Sequence, residues 1–277
     1  MSTEPSMFRL WDQGQRHLAA ARYIAARRDL EAAEAIAWRN RDARTLARLY
    51  LSLLEARRQI RYHAVEGTLL IDPAGVAQRS APLRQFMHAP PPAGVLLIGT
   101  PADPRSIATA THIARDIQYA ALRTGACLEA LLLIRSGSEI RLAPPPDPRF
   151  AAGFPIRWTL SPGEQIANST EPELVVPLPP AGCYAPPATR LHAPAEVAAD
   201  PARAKFHALA RESLIVAWEA LALRWQHRHP PVGARGMTPR ESAWREIAWL
   251  RRTLLVDPAC EPVTMRLIAL GEAIERL

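Results

Sequence analysis

The sequence predicts a mixed α/β protein: a small, mostly parallel sheet flanked by helical hairpins on its N- and C-terminal sides. Three observations carry that expectation. Residues 94–134 read as strand, helix, strand, with the apolar runs Val95-Leu96-Leu97-Ile98 and Leu128 to Ile134 enclosing a stretch of helical periodicity. A strand–helix–strand crossover returns the chain in the same direction, so the two strands pair in parallel. Residues 1–65 and 201–277 carry apolar side chains three and four apart, the spacing of amphipathic helices. No apolar run approaches the ~18 residues that span a bilayer, so no membrane segment is expected.

The chain has 277 residues, 48% of them apolar, enough for a sizeable core in one or two domains. Its formal charge is +7, and Lys205 is the only lysine. Residues 1–65 hold twelve arginines against seven acids, so the excess sits on the N-terminal helices. These arginines alternate with Asp and Glu instead of forming a block, the pattern of solvated helix faces more than of a phosphate track. Cys127, Cys183 and Cys260 are scattered and form no Cys-x-x-Cys, so neither a disulfide framework nor a structural zinc site is expected. Met1 to Ser6 lacks the basic-then-apolar pattern of a signal peptide, and a cytoplasmic location is the expectation.

In chain order, residues 8–28 read as a helix with Phe8, Trp11, Leu18, Ala21 and Ile24 on or near its core face. Arg28-Asp29 reads as a break before a second helix, Leu30 to Arg39, and Arg41-Asp42 as a break before a third that runs to about Arg61. Leu46, Tyr50, Leu53, Leu54 and Arg57 make the stripe of that third helix. Short breaks between amphipathic helices make antiparallel neighbours, and Ala33 and Ala37 let the backbones come close.

The pattern Ile24, Asp29-Leu30, Ala33, Ala37 followed by another helix resembles a tetratricopeptide-type helical hairpin, over about residues 18–61. The resemblance implies a non-enzymatic surface for a protein partner. The chain departs from that family in lacking its glycine, its terminal proline and a full second copy near a period of 34. Towards the C-terminus, Thr238-Pro239 opens one helix and Asp257-Pro258 separates it from the next, Glu261 to Leu277. That arrangement is again similar to the tetratricopeptide pattern, although Glu246 stands where the family wants a small residue.

Between the helical regions, Thr68 to Ile71 reads as a short strand and 73–93 as an irregular connection with five prolines. Asp103 is placed to cap the next helix, Pro104 to open it and Gly125 to close it. Ile140 and Leu142 read as an antiparallel return strand, Ile156 to Leu160 and Leu174 to Val176 as further strands, and Pro162 to Asn168 as a short helix. Together 93–178 resembles a Rossmann-like layer. Pro201 to about Arg228 reads as a helix apolar on several sides, with Phe206, Leu209, Trp218 and Leu221 among its apolar residues. The expected organisation is a helical hairpin region 1–65, a connection 66–92, the Rossmann-like layer 93–178, a Pro-rich linker 179–200, and a helical region 201–277 packed on the rest as one body.

Ligands of open α/β sheets sit beyond the carboxyl ends of the strands. Here those ends supply Thr100, Asp103, Arg135, Ser136, Ser161 and Glu164, and Arg135 with Ser-Gly-Ser has the chemistry to hold a phosphate or carboxylate. Neither Gly-x-Gly-x-x-Gly nor Gly-x-x-x-x-Gly-Lys-Ser/Thr occurs, and Asp103 sets a negative charge where an anion would bind, so no cofactor is expected. His207, His227 and His229 have no acidic or cysteine partner at ligand spacing, so no metal is expected. Arg57, Arg58 and Arg61 form the sharpest basic cluster, able to meet an acidic partner or RNA phosphates, or simply to complement a helix C-terminus. The sequence therefore points to a non-enzymatic interaction or scaffold protein working through its helical hairpins. A nucleotide or sugar-phosphate site at the sheet's carboxyl edge is the alternative, and nucleic-acid binding is a weaker one.

Overall fold

A computed structural model describes residues 6–72, 88–136, 139–143, 190–192, 236–276 and six positions between 215 and 226. The chain is mixed α/β. Its elements, in order, are α1 (Met7–Ala19), α2 (Tyr23–Arg39), α3 (Ala43–Glu66), β1 (Thr68–Asp72), β2 (Ala93–Pro101), α4 (Pro104–Thr124), β3 (Cys127–Ser136), β4 (Glu139–Ala143), β5 (Arg190–His192), α5 (Pro239–Val256) and α6 (Glu261–Ile274). They divide into two compact units, one of residues 1–60 with 218–277 and one of residues 61–217. The expected strand Ile156 to Leu160, helix Pro162 to Asn168 and strand Leu174 to Val176 lie outside the described residues, as does most of the helix expected from Pro201. Of that helix, Trp218 and Ala222 are described as helical and are buried.

In the helical unit, the first break falls at Ala20 to Arg22, not at Arg28-Asp29. Ala21 takes a left-handed conformation (φ 54°), and the Arg22 and Ala21 amides donate to the carbonyls of His17 and Leu18. The same device recurs one hairpin on: Arg41 has φ 51°, and the Asp42 and Arg41 amides donate to Ala37 and Trp38. These bonds satisfy the last carbonyls of α1 and α2. Asp29 belongs instead to the buried interior of α2, 3.4 Å from His17 of α1 and 2.9 Å from Arg28.

Small residues set the helix crossings. Ala26, Ala33 and Ala37 of α2 are fully buried. A Cβ on Gly14 of α1 would stand 2.6 Å from Leu30 Cγ, and one on Gly271 of α6 would stand 2.7 Å from the Ala43 carbonyl of α3. The N- and C-terminal helices thus pack directly on each other. Arg251 of α5 reaches Glu34 of α2, and Trp244 meets Trp38 edge-on at 5.7 Å. Arg58 of α3 reaches Glu261 of α6 at 3.2 Å. Thr238 caps α5 in a reciprocal box with Glu241, each side chain bonding the other's backbone N–H.

The sheet unit has strand order β4-β3-β2-β1-β5. β1, β2 and β3 are parallel, with Leu70 opposite Leu96 and Leu96 opposite Ala130. β4 and β5 are antiparallel edges. β5 pairs Arg190, Leu191 and His192 with Ile71, Leu70 and Leu69, so part of the segment expected as linker 179–200 completes the sheet. α4 has the Asp103 cap, Pro104 opening and Gly125 terminator (φ 77°) that the residues predict. Its face of Ile107, Ala110, Ala114, Ile117 and Ala121 packs in one core with Leu96, Ile98, Leu128, Ala130, Leu132 and Ile134. Val95, Leu97 and Leu131, on the opposite face of the same strands, are at most 2% exposed, which explains the unbroken apolar runs.

Candidate interaction groove

The helical unit carries an open groove of ≈ 860 Å³ between faces of α1, α3 and α6. Trp11 and Gln15 form one wall, Arg44, Ala47, Arg48, Leu51 and Ser52 the floor, and Ile268, Glu272, Glu275 and Arg276 the other wall. Each set recurs at helical spacing, so each lies on one face of its helix. Two contacts fix the walls to the floor. Gln15 donates to the Ser52 hydroxyl, and Gly271 brings α6 against the backbone of α3.

The lining joins apolar surface to unspent charge. Leu51 is 60% exposed, as is Phe8, which stacks on Trp11 one turn away; Met265, one turn before Ile268, is 49% exposed. Some guanidiniums of this unit pair with carboxylates: Arg57 with Glu31, Arg251 with Glu34, Arg266 with Glu246. Among the described residues the groove-lining Arg44, Arg48, Glu272, Glu275 and Arg276 form no ion pair. Two of them are placed against helix stability. Arg44 stands in the first turn of α3 and Glu272 in the last turn of α6, where helix-end charges disfavour them.

Of the residues expected at the sheet's carboxyl edge, Thr100 and Asp103 are those whose side chains are described. Thr100 is 1% exposed, and its hydroxyl donates to the Pro101 carbonyl at 3.2 Å. Asp103 accepts from the Ser106 amide at 2.9 Å as the α4 cap, and bonding to Ser106 holds its carboxyl below the usual range. Arg135 and Ser136 lie at the end of β3, in register with Ile140 and Glu139 of β4. Ser161 and Glu164 lie outside the described residues.

Arg57, Arg58 and Arg61 do not make one exposed surface. The Arg57 guanidinium is held by Glu31 at 2.9 Å and by the Pro258 carbonyl, Arg58 by Glu261, and Arg61 is only 5% exposed. The groove residues were the ones sequence reasoning passed over. Phe8 and Trp11 read as core because apolar periodicity does not say which face is covered. Leu51 did carry a signal, an apolar residue off the Leu46–Tyr50–Leu53 stripe.

Among the described residues no helix is long and apolar enough to cross a membrane, and no three His, Cys, Asp or Glu side chains are grouped to hold a metal. Comparisons with protein-family models, with curated proteins and with solved structures gave no match.

Proposed function

We propose that the chain is a non-enzymatic, cytoplasmic protein-interaction or scaffold protein whose helical unit presents the α1–α3–α6 groove to a protein partner. The observation that carries this reading is the groove itself: exposed Leu51 and Phe8 beside five charged side chains that form no ion pair among the described residues. Exposed apolar patches rimmed by polar groups mark interaction sites. The hairpins are tetratricopeptide-like in this reading, supported by the small residues at the helix crossings and by the repeated left-handed breaks at Ala21 and Arg41. The sheet unit is Rossmann-like and structural. The alternative of a phosphorylated ligand at its carboxyl edge draws little support, since Asp103 occupies the α4 terminus and Thr100 is buried. Nucleic-acid binding draws less, with Arg57 and Arg58 engaged by carboxylates.

Selection of a phage-displayed peptide library on the full chain, beside a Leu51→Asp variant, tests the proposal. Peptides that enrich on the natural chain and fail on Leu51→Asp are expected. Because Leu51 is exposed, the variant should melt within about 2 °C of the parent. No enrichment, or equal enrichment on both, would remove the groove as an interaction site.

A further inference from the structure

We draw no further inference here: the strongest candidate, the open groove between α1, α3 and α6, belongs to the site already described, and with Arg44 and Arg48 on its floor and Glu272, Glu275 and Arg276 together on its α6 wall, nothing in the structure shows what covers it.

Discussion

Arg251 of α5 grips Glu34 of α2 with two parallel bonds, Nε to Oε1 at 2.7 Å and the terminal nitrogen to Oε2 at 3.1 Å, and lies 4.0 Å over the ring of Trp38. Residues 217 positions apart are thereby locked in one geometry. The Tyr50 hydroxyl donates to the same carboxylate at 2.8 Å. Burial, followed by the neighbouring Glu34 charge, raises the Tyr50 phenol well above its usual range. Only a guanidinium supplies the fork and the flat face together.

Removing one partner of this bridge should cost far more than removing both. Arg251→Met leaves a largely buried carboxylate with Tyr50 alone, and a loss of about 3 kcal/mol is expected. Arg251→Met combined with Glu34→Leu should recover most of it. Arg251→Lys should fall between the parent and Arg251→Met, because it keeps charge and loses the fork. Urea unfolding of the three variants measures the series.

Glu31 supplies a pH dependence. Burial alone would push its carboxyl up, but Arg27 and Arg57 outweigh that and hold it at about 2. A carboxyl depressed in the folded state stabilises above its unfolded pKa and ceases to do so as pH falls. The window runs from about 4.5 down to about 2. The side chain is 38% exposed, so solvent screening limits the contribution to about 1 kcal/mol. The stability difference between the natural chain and Glu31→Gln, followed by urea unfolding, should be full at pH 6 and shrink towards zero near pH 2.

Gly271→Ala should be destabilising despite the higher helix propensity of alanine. The added methyl meets the Ala43 carbonyl at 2.7 Å and the Ala47 Cβ at 2.9 Å, neither of which turns aside without moving α3. Overpacking of that kind costs about 1–3 kcal/mol, against a propensity gain of about 1. Gly14→Ala meets the branched end of Leu30 instead, which has more freedom to shift, so it should cost less. Thermal melts of the two variants rank them.

Ala21→Gly and Arg41→Gly should each stabilise the chain by roughly 0.5–1 kcal/mol. Both positions have positive φ without being glycine, 54° and 51°, and a Cβ is strained there. The gain should appear as a higher melting temperature with no change in far-ultraviolet dichroism. A loss would mean that the side chains contribute more than the backbone strain removes.

Those two positions also explain where local reasoning stopped. Asp103-Pro104 and Gly125 marked the ends of α4 because each uses the residue type its conformation favours, and the sequence determines such caps locally. The unbroken runs 95–98 and 128–134 likewise announced strands buried on both faces, and helical spacing announced the flanking helices. The first helix break escaped because an alanine occupies the left-handed position, held by bonds back to His17 and Leu18 rather than by its own preference. Asp29 looked like a break and is interior, since His17 and Arg28 make its burial tolerable.

What only the tertiary structure decided is which charges are spent and which remain. In sequence, Arg44, Arg48, Arg57 and Arg58 are four equivalent helical arginines. Folding brings Glu31 from α2 and Glu261 from α6 to the last two and leaves the first two facing an open groove. The same holds for β5, whose three residues carry no strand signature and acquire one by lying against the free edge of β1. Periodicity and caps follow from each residue's neighbours along the chain. A partner across two hundred positions follows from the packing of helices whose close crossings rest on small residues such as Gly14, Ala33 and Gly271.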